Sequence, residues 1–391
     1  MNILQQGILR ILKSAITEEA QPLPEGFSLE DALPMITKHG LETLAYTGAA
    51  YCGIPEDSPA MMILLQRYCK KMMRSEMQMA AVNRLYEAFD EAQIDYMPLK
   101  GCKMKGLYPK PELRIMGDAD ILVRSEQYEA IKPVMEGLGY TPGVESDHEY
   151  VWHSEELYLE LHRRLIPSYN RDCYAYFGDG WRLAKHQAGF RYTMTDEDTF
   201  VYLLAHFAKH YRYSGIGCRH VLDLWVYLRA VPDLNMHYIR AELEKLRLVA
   251  FFDNVHRLLE FWFGDGEEDA KLTLMTEFIF DSGNWGSLQN YLLSEEVKSR
   301  RIAGSVRGGR LRSLWQTLFP PARDMVPRFP ILEKAPWLLP VLWPVRWVGA
   351  LLFRRDNIRT KYRDVRYTTV ARVDDYQKAI NDVGLDYHFG E

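Results

Sequence analysis

Two aspartates one residue apart, Asp118 and Asp120, stand at the head of the apolar run Ile121-Leu122-Val123. That run predicts a strand, and residues i and i+2 of a strand point to one face. The two carboxylates therefore lie side by side, where they repel unless a cation sits between them. Hard oxygen donors of this kind suit Mg²⁺ or Mn²⁺. Upstream, a short apolar run ends in Leu99-Lys100-Gly101. A Gly turn between a strand and a helix offers free N–H groups and a positive dipole end to phosphates. Lys103, Lys105, Lys110 and Arg114 follow. Lys103 and Lys105 read as phosphate contacts or as solvated charges, the second being commoner for surface lysines. Arg114, four residues before Asp118, suits phosphate or sugar as a planar bidentate donor. Downstream, residues 157–162 alternate: Leu157, Leu159 and Leu161 on one face, Tyr158, Glu160 and His162 on the other. If this strand neighbours the aspartate strand, Glu160 completes a three-carboxylate cluster. The alternative is a pair with Arg163 or Arg164. His162 is expected to orient the site, and Asp147, Glu155 and Glu156 are the fallback third ligands.

The order of these features resembles the DNA polymerase β-type nucleotidyltransferase superfamily: Gly just past a strand, D-x-D on the next strand, a lone carboxylate between apolar residues on a later one. Within it, the sequence around Leu99-Lys100-Gly101, Arg114-Ile115-Met116-Gly117-Asp118-Ala119-Asp120-Ile121-Leu122-Val123 and Glu160-Leu161-His162 is similar to a family of bacterial proteins known mostly as uncharacterised nucleotidyltransferases. The specific part covers about residues 94–165, and a weaker helical match runs to about 230.

The resemblance implies a metal-dependent enzyme that moves a nucleoside monophosphate from an NTP, ATP among them, to an acceptor hydroxyl. Two metals about 3.5–4 Å apart would clamp the attacking and leaving oxygens of an in-line displacement and lower the hydroxyl's pKa. Asp118 and Asp120 would bridge the metals. Glu160 would bind the catalytic one and take the hydroxyl's proton. Lys100-Gly101 stands where most of the superfamily has Gly-Gly or Gly-Ser, and Lys100 would supply charge where a Ser hydroxyl usually donates. Arg219 and Asp223 match a basic-then-Asp pattern that faces the nucleotide cleft. Read from the residues alone, they are an i, i+4 pair on one helix. The family's association with surface-polysaccharide genes favours a sugar-linked acceptor, with another small molecule, a protein side chain or an RNA end as the other classes. The alternatives are a nucleotide-binding or scaffold protein on this fold that has lost catalysis, and a toxin- or antitoxin-like enzyme that modifies a protein or tRNA. The intact carboxylates argue against the first.

The elements that must position these residues give an α+β protein, a small mixed-sheet domain between helical regions. Residues 1–92 read as a helical cap, 93–192 as the catalytic domain, 193–310 as a helical domain closing the cleft, and 311–391 as a Pro- and Trp-rich tail. The first strand is expected at Ile94 to Leu99, then a helix from Gly101 to about Tyr108. Ser125 is expected to cap a helix to about Leu138, kinked or split by Pro133. Strands are expected at 148–153 and 157–162. Thr195 opens a helix on which His206 and His210 stand at i and i+4, a spacing that allows zinc, a nucleotide or acceptor contact, or a structural role. No Glu follows His206 as H-E-x-x-H would require, which argues against a zinc hydrolase.

The 391 residues carry 48 basic and 53 acidic side chains. This balance gives no footprint for a long nucleic acid, which calls for a basic surface. Five scattered cysteines without a C-x-x-C fit reduced thiols, and with no signal-peptide pattern at the start the expected location is cytoplasmic. The stretch from Ala335 to Phe353 has near-spanning length and three tryptophans, and Arg354, Arg355, Arg359, Lys361 and Arg363 follow it. It reads as a Pro-broken helix packed on the domain, as peripheral membrane contact through 335–363, or as a span.

Overall fold

Helix α4, Pro59–Glu91, carries an apolar stripe along one side, and this stripe decides where the sheet lies. Ala81, Val82, Leu85 and Phe89 pack with Ile121 and Val123 of one strand and Leu159 and Leu161 of another. Both strands alternate, so packing their apolar sides on α4 turns Asp120, Glu160 and His162 to the opposite face of the sheet. The computed structural model describes residues 1–168, 170–303, 315, 319–325, 329, 331–353 and 369–386. The chain divides into two units.

The larger unit holds residues 1–209, 216–285 and the stretch from Val383. It opens with α1 (Ile3–Thr17), α2 (Leu29–Lys38), α3 (Glu42–Tyr51) and α4. Asn2 and Gln5 close a reciprocal capping box at the start of α1. Helices α1 and α3 touch so closely that a Cβ on Gly48 would lie 1.9 Å from the Ile11 carbonyl oxygen. The αβ part follows: β1 (Tyr96–Pro98), α5 (Lys100–Lys105), β2 (Ala119–Val123), α6 (Tyr128–Gly137), β3 (Thr141–Glu145), β4 (Glu149–His153), β5 (Tyr158–His162), α7 (Arg171–Phe177), β6 (Lys185–Ala188) and β7 (Arg191–Thr193). After these come α8 (Asp196–Tyr213), α9 (Cys218–Ala230), α10 (Met236–Lys245), α11 (Val249–Phe263) and α12 (Ala270–Ser282).

The seven strands form one mixed sheet in the order β3-β4-β5-β2-β1-β7-β6. β2 runs parallel to β5 with Asp120 opposite Glu160, and antiparallel to β1. The β4–β5 hairpin puts Glu149 opposite His162. Three strands have no counterpart in the sequence reading. β3 contains Pro142 and Gly143 and is exposed throughout, and β6 and β7 are only four and three residues long. None shows an alternating apolar pattern to read. Ser125 does not cap α6. It starts a 3-10 turn over Ser125–Gln127, and α6 begins at Tyr128 with Pro133 inside it.

Besides covering the sheet, α4 braces the segment that leads into β2. Gln78 Nε2 donates to the Met116 carbonyl, and Tyr68 Oη to Glu112. Lys105 is 1 % exposed, and its ammonium donates to Ser75 Oγ (2.7 Å) and the Arg114 carbonyl (2.8 Å). Burial, with Arg114 nearby, lowers its pKa from 10.5 to about 8. A base with a lowered folded-state pKa costs stability while it stays charged, and the cost is relieved as pH rises from the folded to the unfolded value. Relative to Lys105→Met, the wild type should therefore gain about 3 kcal/mol between about pH 8 and 10.5 and hold a constant difference below that window. Paired denaturant titrations across the range measure it.

The smaller unit holds residues 210–215 and 286–382. It contains the last turn of α8, then α13 (Leu288–Ala303), α14 (Ala322–Met325), α15 (Ile331–Lys334), α16 (Leu339–Phe353) and α17 (Val370–Asp382). α13 packs against α17. Trp343 and Trp347 of α16 meet Phe319 edge-on, and Trp343 Nε1 donates to the Pro320 carbonyl. The 15 residues of α16 extend about 22 Å, against about 30 Å of bilayer core. Among the described residues no helix is long and apolar enough to cross a membrane. The basic residues from Arg354 to Arg363 lie outside the described residues.

Candidate active site

Asp120 sits at the centre of the polar face, 1 % exposed, with a cation on either side. Lys100 Nζ, at the start of α5, lies 3.0 Å from its Oδ1. His162 Nε2, on β5, lies 3.1 Å from the same oxygen and 3.5 Å from Glu160 Oε2. Burial alone would raise the Asp120 pKa, but Lys100 and then His162 hold it well below the usual carboxylate range. Burial likewise opposes charge on His162, and its bonds to Asp120 and Glu160 outweigh it, raising the imidazole to about 9. The same contest ends upward for Lys100, through Asp120, Tyr202 and Asp118.

Asp118 immediately precedes β2. Its carboxyl is pushed up to about 6 by burial and the Asp120 charge, against Lys100 and with a further push from Glu160. Three acidic side chains thus act on one another here, and one of them is crowded enough to hold its proton more tightly than a free carboxyl.

These residues fit a divalent cation on two observations. The second carboxylate oxygen of Asp120, Oδ2, is buried with no hydrogen-bond partner, an uncommon state for a charged oxygen. A Cβ on Gly101 would stand in contact with that Oδ2, at 3.5 Å, and tightly against the Asp118 carbonyl oxygen, at 3.3 Å, so glycine keeps this side of the carboxylate open. Among the described residues, the ligand atoms that approach one another within 4.8 Å belong to Asp120, Glu160 and His162. Asp118 stands outside that group, and His162 has entered it. The carboxylates are the hard donors that suit Mg²⁺ or Mn²⁺, while His162, held protonated against Asp120 and Glu160, orients them.

Other residues singled out in the sequence occupy different places. Arg114 is buried, not open to a phosphate or sugar. Its Nε and Nη2 hold both oxygens of Asp223 at 2.9 and 3.0 Å, and its Nη1 reaches the Gly101 carbonyl. Tyr108 Oη donates to the same Asp223 at 2.7 Å. Asp223 therefore pairs with Arg114 of the αβ part and not with Arg219 four residues away. Arg219 is buried and donates to the Ile115 carbonyl. Lys103 is partly exposed, and its ammonium bonds Thr199 Oγ1 at 2.8 Å and lies 3.5 Å from Asp196 on α8. Arg163 and Arg164 pair with Glu145 and Asp147, which leaves Glu160 to His162. Glu156 pairs with Arg84, and Glu155 is exposed. Among the described residues, His206 and His210 join no metal-ligating group.

Tyr202, Lys209 and Trp285 also belong to the surroundings of the site. Tyr202, His206 and Lys209 share one side of α8, and Tyr202 and Lys209 both feel Lys100, Asp120 and Glu160. Burial and the Lys100 charge lower the Lys209 ammonium to about 8. Trp285 lies beside Gly117 and Arg219. A tyrosine and a lysine seven residues apart on a helix could have been noticed as one side of it, but periodicity does not say which side meets a site. Trp285 lies 165 positions from Asp120, without a local pattern.

A mixed sheet in which Asp120 on β2 stands in register with Glu160 on the parallel β5 fits the expectation of a nucleotidyltransferase. A family model described as an uncharacterised nucleotidyltransferase matches residues 25–264, and the chain belongs to that family. No curated protein matches the chain. The chain is similar to the solution structure of the antibiotic-resistance factor ANT(2'')-Ia, at 13 % identity over 48 % of this chain and 97 % of that one, with a TM-score of 0.33.

Proposed function

We propose that the chain transfers a nucleoside monophosphate from an NTP to an acceptor hydroxyl. The observation that supports this most is the pairing of Asp120 with Glu160 across parallel strands, with one buried Asp120 oxygen left without a partner. Asp118, Asp120 and Glu160 would hold the divalent cation, or the pair of cations expected from the superfamily pattern, which supplies charge to the phosphates and acidifies the acceptor hydroxyl. Lys100 and Lys209 neutralise the triphosphate from two sides. Gly101 lets phosphate approach the backbone, and the Arg114–Asp223 pair fixes its carbonyl. Glu160, 21 % exposed at its side chain, accepts the hydroxyl proton, and His162 orients it. The new bond joins the acceptor oxygen to the α-phosphorus, the α–β phosphoanhydride breaks, and pyrophosphate leaves.

Acidic overall charge disfavours a long nucleic acid as acceptor and leaves a sugar-linked or other small hydroxyl compound as the proposed class. Calorimetric titration of each NTP with Mg²⁺ tests the reading. Binding should require metal and be lost in Asp118→Asn/Asp120→Asn, and retention of binding in that variant would refute it. Lys209→Met should weaken NTP and inorganic tripolyphosphate equally, by about 10–100-fold, the value of one charge-assisted phosphate contact.

Peripheral membrane contact through 335–363 is part of the proposal. Trp337, Val341 and Val345 are 75, 63 and 51 % exposed, and an aromatic among exposed apolar residues beside a basic run suits an interface. Co-flotation with anionic vesicles at low salt is the expected result, and its absence removes this part.

A further inference from the structure

Trp285 is 68 % exposed, a large apolar surface for a folded chain to leave in water. Its position is nevertheless defined. A Cβ on Gly117 would lie 2.7 Å from the indole Cη2 and 3.2 Å from Cζ2, so the ring rests where any larger residue at 117 would push it away. The Arg219 guanidinium lies 5.5 Å from the ring centroid, within cation–π reach. Arg219 is itself buried and tied to the Ile115 carbonyl. The ring is thus held against Gly117, the residue that directly precedes Asp118, while most of its surface faces solvent. In a nucleotide whose phosphates lie at the carboxylates, the base stands one ribose away from them, and Gly117 is the chain neighbour of Asp118.

We infer that Trp285 is the platform on which the base of the bound NTP stacks, an inference that rests on the nucleotidyltransferase reading of the carboxylate site. Arg219 acts here as a positioning residue, holding the ring by cation–π attraction. Every nucleobase has a π-face, so an indole platform strengthens binding of all four NTPs, and purines most because their overlap is larger. It adds nothing to a ligand without a base.

The test compares NTPs with inorganic tripolyphosphate, each titrated with Mg²⁺ into the full chain, in the wild type, Trp285→Ala and Trp285→Phe. The expected result is an NTP affinity about 5- to 100-fold lower in Trp285→Ala, mostly recovered in Trp285→Phe, with tripolyphosphate affinity unchanged in all three. Equal loss of NTP and tripolyphosphate in Trp285→Ala would overturn the platform and point to a distorted phosphate site. Unchanged NTP affinity in Trp285→Ala would overturn it too. Wild-type protein that binds tripolyphosphate but gains nothing from the base defeats the platform alone. If it binds neither ligand, the carboxylate reading fails and the platform with it.

Discussion

Asp120→Asn should remove nucleotidyl transfer by about 10³-fold or more and also destabilise the metal-free protein by about 2–3 kcal/mol. The two effects have one cause. Asp120 is buried between Lys100 and His162, both bonded to one of its oxygens. Removing its charge leaves the buried His162 and the part-buried Lys100 as cations facing each other, and the side chain of Asn does not compensate either. The surviving amide keeps the shape and a carbonyl acceptor, which holds the loss to just below the range of about 3–5 kcal/mol for broken buried pairs. Glu160→Gln makes the contrast. Its carboxylate is partly exposed and, among the described residues, its ion pair is with His162, so activity should fall by a similar order while the denaturation midpoint moves little. Paired turnover and chemical-denaturation measurements on the two variants separate the roles. Equal stability loss in both would contradict the placement of Asp120 as the buried centre.

The Arg114–Asp223 pair carries the second large expected effect. Arg114→Met leaves Asp223 buried with Tyr108 and without its ion-pair partner, and breaking such a pair costs about 3–5 kcal/mol. Arg114→Met/Asp223→Leu should recover most of that, because two apolar side chains of similar volume no longer require charge compensation. A coupling energy of about 2 kcal/mol or more in the double-mutant cycle is therefore expected. Arg114→Lys should fall between, keeping the charge but losing the two-pronged contact. In Arg114→Met and Arg114→Lys the Gly101 carbonyl also loses its contact with Arg114 Nη1, so nucleotide affinity should drop along with stability. Denaturant unfolding of the wild type, Arg114→Met, Asp223→Leu, the double variant and Arg114→Lys, followed by nucleotide titration of those that remain folded, checks both. An additive cycle would show that the pair does not act as a unit.

Period-two alternation made much of the site legible. Alternation in β5 put Glu160 and His162 on one face and the leucines on the other, and the sheet follows that division. The neighbouring of β2 and β5 was a condition the sequence could state but not meet, since 40 residues separate Asp120 from Glu160. The partners of the cations were not legible. Arg114 and Asp223 lie 109 positions apart, and the nearer i, i+4 pairing of Asp223 with Arg219 was the local solution that long-range packing overrode. Lys103 shows the same thing on the surface, reaching 96 positions to Thr199. Ser125 carried a capping signal, yet a 3-10 turn took the residues before α6. Exposed β3 and the short β6 and β7 owe their existence to neighbouring strands that offer free backbone groups, and a strand of that kind writes no hydrophobic pattern.

Because Asp120 and Glu160 face each other across adjacent hydrogen-bonded strands, the gap between them is ruled by backbone repeat distance, about 4.8 Å. Loops may be lengthened, shortened or exchanged around the sheet without changing that spacing. The chemistry is therefore insulated from changes in what the protein modifies. A lineage built on this chain could diverge in acceptor through its helical and loop segments while its reactive centre kept one geometry, and grafting such segments between relatives is the engineering route it invites.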